Sequence, residues 1–104
     1  MKKYKLIGTI IEIKGKCIAG HKVGEKIDLT LIGEHGVKRG LNLCPFFLEV
    51  LLPYLYTMQF GGEFPWEEKP NIFTMVCPDL KNAVKIKIER MEINYKDDSK
   101  SVFQ

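Results

Sequence analysis

The longest apolar stretch of this sequence is LCPFFLEVLLPYLYTMQFGG, residues 43–62, and it predicts the one substantial helix of the chain. Pro45 suits the first helical position, because its missing N–H costs nothing there and its fixed φ is already helical. Gly61 and Gly62 supply a left-handed stop at the other end. Tyrosines apart, the polar side chains between Pro45 and Gly61 are Glu49, Thr57 and Gln59. We therefore expect the helix to be buried on more than one side, by the rest of the fold or by a second copy.

The composition is that of one globular domain. The chain has 104 residues, of which 45% are hydrophobic and 28% are charged, and it is long enough for a single modest core. The formal charge of +3 comes mostly from lysines spread along the chain. This spread is typical of a solvated sheet face, whereas nucleic-acid binding usually needs one basic stripe with interleaved aromatic residues. We expect no nucleic-acid partner.

The sequence predicts a cytoplasmic protein without a membrane span. No secretory signal is visible, because Glu12 and Lys14 interrupt the first apolar run. About 18 helical residues would reach only ~27 Å, and this stretch carries Glu49 and two prolines, so we expect it to be buried in protein. Three cysteines, an odd number, predict reduced thiols rather than a disulfide framework.

Four further segments have the pattern of β-strands, being rich in β-branched residues or alternating in polarity. They cover residues 3–14, 26–32, 72–76 and 84–93. The order β-β-α-β-β predicts an α+β fold, with a small antiparallel sheet of about four strands and one buried apolar helix. We assign residues 1–94 to a single domain and expect residues 95–104 to fray.

Side-chain patterns within two of these strands indicate how they face the core. Both faces of the first strand are apolar at its centre, which favours an interior strand that is covered on both sides. In residues 26–32 the alternation predicts that Ile27, Leu29 and Leu31 point inward, and that Asp28 and Thr30 point outward.

The strongest candidate site consists of Cys17, His21, Cys44 and Cys77. Each cysteine lies where a strand or the helix begins or ends, close to Gly or Pro, so that the sulfurs could turn toward a common centre. Three thiolates and one imidazole match a tetrahedral zinc or iron site. The chain has no paired C-x2-C knuckles, so inert core cysteines are a competing interpretation.

A metal-free thiol site needs fewer of these residues. Cys44 falls at the helix N-cap, where orphan N–H groups and the positive end of the dipole favour a thiolate. His21 would then act as the base, with Asp79 orienting it. Asp79 also fits a simple Asx turn after Pro78. Glu49 is either a buried acid near Cys44 or a surface residue.

Aromatic residues near the end of the helix form a second candidate site. Tyr54, Phe64 and Trp66 could line an apolar pocket that binds a cofactor or a small molecule. Ordinary packing of aromatic side chains in the core explains them equally well.

Several linked motifs resemble those of a family of short, uncharacterised prokaryotic proteins. They are the loop G-x-C-x-x-G-H-x-V-G-E at residues 15–25, the helix-opening Cys44–Pro45, the segment G-G-E-F-P-W at residues 61–66, and Cys77–Pro78–Asp79. Glu25 stands where the family tends to have Asp, and Ala83 where it often has Pro. The resemblance implies that these motifs form one site, and it implies no particular activity.

Three functions are compatible with the sequence. The leading hypothesis is a Cys3His protein that binds zinc or iron. The first alternative is a thiol enzyme or redox protein that uses Cys44 without a metal. The second alternative is a self-associating module in which the cysteines only pack. In each case we expect a homo-oligomer formed through the apolar helix, because one four-stranded sheet covers only one side of it.

Overall fold

The computed structural model describes residues 3–34, 36–37 and 40–93, and these residues form the predicted α+β fold. In chain order the elements are β1 (Lys3–Ile13), β2 (Lys26–Asp28), β3 (Ile32–Gly33), β4 (Gly36–Val37), α1 (Pro45–Gln59), β5 (Ile72–Val76) and β6 (Val84–Ile93). Four strands form an antiparallel sheet in the order β2-β1-β6-β5, and β3 pairs with β4 in a separate hairpin. The predicted tail at residues 95–104 lies outside the described residues.

The long strands β1 and β6 form the centre of the sheet and provide much of the core. They pair from Lys3 opposite Ile93 to Ile13 opposite Val84, with one irregularity between Ile10 and Glu12. Four apolar side chains of these two strands are fully buried in the core, and they are Leu6, Ile10, Ile86 and Ile88. Ile11 follows Ile10 and is exposed. Strand β1 is therefore covered on the face that carries Leu6 and Ile10, whereas the expected cover is missing at Ile11.

Strand β2 is shorter than predicted, and the prediction that Thr30 points outward is wrong. Thr30 is buried, and its hydroxyl accepts a hydrogen bond of 3.0 Å from the N–H of Leu6. The carboxylate of Asp28 accepts the N–H of Thr30 at 3.0 Å, which turns the chain after β2. A side-chain oxygen thus replaces the main-chain acceptor that a longer β2 would have offered to Leu6.

Helix α1 begins and ends where the sequence predicts. Pro45 is its first residue. At the other end Phe60 is the C-cap residue, and Gly61 comes next with φ of 90°. The N–H of Gly62 donates to the carbonyl of Thr57 at 2.8 Å, and that of Gly61 donates to Met58 at 3.3 Å. These two bonds form a Schellman motif, which satisfies the last carbonyls of the helix and needs glycine at the left-handed position.

One side of α1 packs on the sheet, and its opposite side is exposed. The buried side chains are Phe47, Leu51, Leu55, Met58 and Gln59. Exposed apolar side chains on the other side include Leu52 and Tyr56, and Glu49 is also exposed. Glu49 is therefore a surface residue. The described residues leave this side of the helix uncovered, and its expected second cover stays a prediction.

Arg90 is a buried cation that satisfies the C-terminal end of α1. It donates through Nη1 to the carbonyls of Met58, at 3.2 Å, and Gly62, and through Nε to the side chain of Asn71 at 3.0 Å. The guanidinium also lies 4.7 Å from the centre of the Tyr4 ring. The negative end of the helix dipole and the ring face favour its charge in this buried position.

In the described part of the chain, no helix is long and apolar enough to cross a membrane.

Candidate functional site

The three cysteines, far apart in the sequence, line one cavity at the start of α1. Cys17 comes from the loop between β1 and β2, Cys44 precedes α1, and Cys77 follows β5. All three thiols are free, with Cys17 and Cys44 half-buried and Cys77 buried. The cavity has a volume of about 270 Å³. Its other lining residues are Ile18, Ala19, Phe46, Phe47, Asp79, Asn82 and Val84.

Asn82 fastens the loop that carries Cys17 to the turn that follows Cys77. Its carbonyl accepts the N–H groups of Lys14 and Gly15 at 2.9 and 3.1 Å, and its side-chain oxygen accepts the N–H of Lys16 at 2.9 Å. A side chain at Gly15 would collide with this amide, because a Cβ atom there would lie 2.1 Å from Asn82 Oδ1. The close approach explains the glycine at this position.

The turn between β5 and β6 is held by Asp79. Its carboxylate accepts the N–H groups of Lys81 and Asn82 at 3.2 and 3.4 Å and the side-chain amide of Asn82 at 2.8 Å. These bonds, the one from the Asn82 side chain above all, hold the pKa of Asp79 below its ordinary value. The thiol of Cys77 donates to the carbonyl of Asp79 at 3.6 Å. Asp79 is therefore an Asx-turn residue, as the simpler interpretation of the sequence proposed.

Cys44 occupies the N-cap position of α1. Its carbonyl accepts the first helical hydrogen bond from the N–H of Leu48, at 2.9 Å. Its side chain makes no capping hydrogen bond with the described residues of the first turn, and Cys44 is one of the residues that line the cavity. The positive end of the helix dipole therefore acts on a half-buried thiol at the cavity.

His21 joins the loop of Cys17 to the main chain of Cys44. Its Nε2 accepts the N–H of Cys44 at 3.1 Å, which assigns the proton of a neutral ring to Nδ1. Nδ1 then donates to a carboxylate oxygen of Glu25 at 3.0 Å. The side chain of His21 is 8% exposed and that of Glu25 is 34% exposed. The hydrogen bond from His21 is the main reason that the pKa of Glu25 is lowered.

This geometry changes the roles that sequence analysis gave to His21 and Asp79. The lone pair that a general base would use is occupied by the main-chain N–H of Cys44. Glu25 takes the orienting role proposed for Asp79, because it accepts the hydrogen bond from Nδ1 of His21. It lies four residues after His21, and the tight turn between them contains Gly24, whose φ is 92°. We describe His21 as a residue that positions the loop.

The predicted zinc or iron site at Cys17, His21, Cys44 and Cys77 is only partly assembled. The three cysteines share a cavity, but both ring nitrogens of His21 are engaged in hydrogen bonds. Within residues 3–34, 36–37 and 40–93, no group of three or more His, Cys, Asp or Glu side chains is placed to hold a metal ion. A four-ligand site requires the ring of His21 to turn, so metal binding stays a prediction.

The aromatic residues proposed to line a second pocket pack on one another and on the sheet. Tyr54 stacks on Phe73 with ring centres 5.0 Å apart, and Phe64 lies 4.8 Å from the same ring. Trp66 stacks on Phe64 at 5.1 Å and is exposed. These contacts explain Tyr54 and Phe64 as packing residues, and a ligand at this cluster stays a prediction.

Glu25 and Asn82 shape the site but are not among the site residues predicted from the sequence. Glu25 had a local signal, because it follows His21 by four residues within a glycine turn. Asn82 had none, since its side chain bonds to the N–H of Lys16, which is 66 residues away in sequence.

No family model, curated protein or solved structure matches this chain. The resemblance to a family of short prokaryotic proteins therefore stays a prediction.

Proposed function

We propose that this protein is a small dithiol redox protein that acts by thiol–disulfide exchange in the three-cysteine cavity. The observation that carries this proposal is the grouping of thiols from three separate segments around one small cavity. A single-nucleophile enzyme needs one thiol and a free base, whereas the lone pair of His21 is occupied. Disulfide exchange needs two neighbouring thiols and no fixed base.

The three cysteines have different surroundings, which assign them different roles. Cys44 is the attacking thiol, because it is half-buried at a helix N-terminus and lines the cavity. Cys17 is the second thiol, since it is also half-buried and lies in a loop fastened by Asn82. Cys77 is buried, and its S–H is bonded to the main chain, so it takes no part.

The reaction is a two-electron exchange with a disulfide R–S–S–R. The Cys44 thiolate attacks one sulfur, the R–S–S–R bond breaks, and a mixed disulfide forms as R–S⁻ leaves. The Cys17 thiolate then attacks the Cys44 sulfur and releases the second R–S⁻. Both leaving groups take up the protons lost by the cysteines, so the protein is oxidised to one disulfide and the substrate is reduced to two thiols. Reduction of the protein back to the dithiol needs a reducing compartment, and we propose that the protein acts in the cytoplasm.

Mass spectrometry after treatment with hydroxyethyl disulfide, a small uncharged disulfide, tests the proposal. We expect loss of two hydrogens and a cross-linked peptide pair that contains Cys17 and Cys44. Cys44→Ser should abolish the cross-link, while the matched variant Cys77→Ser should retain it. Equal inertness of all three thiols in the native protein, or a cross-link that requires Cys77, would contradict the assignment.

Zinc or iron binding is the second candidate, and the sharing of one cavity by three soft ligands favours it. Cys17, Cys44 and Cys77 would be ligands, with His21 added if its ring turns. Elemental analysis of protein purified without a metal-affinity tag distinguishes the two candidates. About one metal per chain, lost in Cys17→Ser, would replace the redox proposal, and metal-free protein would support it.

A further inference from the structure

Large apolar side chains stand exposed where the three cysteine-bearing segments meet. Ile18 is 92% exposed and Phe46 is 61% exposed, and both line the cavity. Single exposed apolar residues are common, but apolar residues gathered at a cavity mark a ligand site. We call Ile18 and Phe46 the rim.

The polar side chains of the cavity wall are already used within the protein. The carboxylate of Asp79 accepts three hydrogen bonds from the turn that follows it. The amide of Asn82 accepts the N–H of Lys16 and donates to Asp79. A polar ligand that entered would lose hydration and find few partners in exchange, which costs free energy.

We propose that the three-cysteine cavity selects small, uncharged, apolar thiol-reactive compounds, with aromatic disulfides as the representative class. This inference rests on the proposed redox function and names its substrate class. The volume of about 270 Å³ lies just below the range of ~300–1,000 Å³ that is usual for drug-sized ligands, so the ligand is small. Phe46 and Ile18 supply apolar wall suited to one aromatic ring of the disulfide, and Cys44 lines the same cavity.

The exchange step follows the proposed reaction. The sulfur of Cys44 forms a bond with the nearer sulfur of the aromatic disulfide, and the aromatic thiolate leaves as the S–S bond breaks. Cys17 displaces the second aromatic thiolate. One disulfide is reduced and one is formed, so no further oxidant is needed.

Rates of Cys44 oxidation by two reagents test the selectivity. One reagent is 2,2′-dithiodipyridine, which is uncharged and aromatic, and the other is oxidised glutathione, which is anionic and hydrophilic. The rate of the protein with each reagent is divided by the rate of free mercaptoethanol with the same reagent. We expect this relative rate to be about tenfold or more higher for the aromatic reagent. The double variant Ile18→Ser/Phe46→Ser should lose this preference through a lower rate with the aromatic reagent.

A matched control removes exposed apolar side chains away from the cavity. Val23→Ser/Met91→Ser should leave both rates unchanged, because neither side chain lines the cavity. Equal preference in the wild-type protein and the Ile18→Ser/Phe46→Ser variant would overturn the inference and leave the redox proposal standing.

A binding measurement separates failure of the redox proposal from failure of the inference. Toluene, which cannot react with thiols, is added to the Cys44→Ser variant, and methyl resonances of Ile18 and Ala19 are followed by NMR. Saturable shifts that vanish when Phe46 is also changed to Ser support an apolar ligand site even if no disulfide forms. The absence of shifts at these methyl groups overturns it.

Discussion

At the scale of single residues, the pair His21 and Glu25 has the clearest effect on the site. The imidazole links the Cys17 loop to the N-cap residue of α1, because it accepts the N–H of Cys44. Glu25 fixes the ring and also accepts the N–H of Lys22 at 3.2 Å. One carboxylate thus sets the tautomer of His21 and closes the turn that carries it.

Glu25→Gln should change the pH dependence of stability. The pKa of Glu25 is lowered in the folded protein from an ordinary value of 4.5, so its carboxylate stabilises the fold above that pH. The contribution is lost as pH falls through the lower, folded-state pKa. We expect the variant to have a smaller free energy of unfolding at neutral pH, and the difference from wild type to shrink below pH 4.5.

Urea unfolding from about pH 7 to about pH 3 measures this difference. Glu63→Gln is the matched control, because Glu63 is exposed and lies beyond the other end of α1. Its curve should run parallel to that of the wild type. A constant difference between Glu25→Gln and wild type across the whole range would count against the hydrogen bond from His21 to the charged carboxylate.

At the scale of elements, α1 joins the small hairpin to the core through one buried polar side chain. Gln59 is fully buried, and its side-chain oxygen accepts the N–H groups of Leu31 and Ile32 at 2.8 and 3.1 Å. Its amide group donates to the carbonyl of Ile32. Every polar atom of this side chain therefore has a partner in the segment that leads from β2 into β3.

Gln59→Leu should lower the free energy of unfolding by about 2–4 kcal/mol, because main-chain groups of Leu31 and Ile32 lose their partners. Thr57→Ala, on the exposed side of the same helix, should cost under about 1 kcal/mol, since the hydroxyl of Thr57 donates to the carbonyl of Pro53 within its own helix. Chemical denaturation of both variants compares them. Equal stability of Gln59→Leu and wild type would show that these bonds do not stabilise the hairpin.

At the scale of the whole molecule, the described residues leave apolar side chains exposed on the helix and on the sheet, apart from the rim. The outer side of α1 exposes Leu52 and Tyr56, and the outer face of the sheet exposes Ile11 and Val76. The helix surface is the one that the sequence predicts to associate, since it belongs to the most apolar segment of the chain. A second copy placed there would give α1 the second cover that its composition favours.

We therefore expect the protein to sediment as a dimer or larger species, and the double variant Leu52→Lys/Tyr56→Lys to sediment as a monomer. Both side chains are already exposed, so the circular dichroism of the variant should match that of the wild type. Ile11→Lys provides a control on the other apolar surface and should keep the oligomer. A monomeric wild type at all concentrations, or dissociation caused only by Ile11→Lys, would contradict the helix interface.

The elements of this protein could be predicted from the sequence because their signals act over a few residues. Pro45 and Gly61 fix the ends of α1 through their own φ angles, and β-branched alternation marks β6. Strand β2 is the instructive exception. Its end depends on Thr30, whose hydroxyl bonds to Leu6 at a separation of 24 residues, and no local pattern reports that contact.

The sequence by itself determined the α+β fold, the position of Cys44 at the start of α1, and the set of residues able to carry chemistry. Only the tertiary structure decided that Cys17, Cys44 and Cys77 share one cavity, that Glu25 rather than Asp79 holds His21, and which apolar residues form the rim. The physical reason is distance along the chain. Contacts such as that between Lys16 and Asn82, which are 66 residues apart, form only when the whole sheet is assembled.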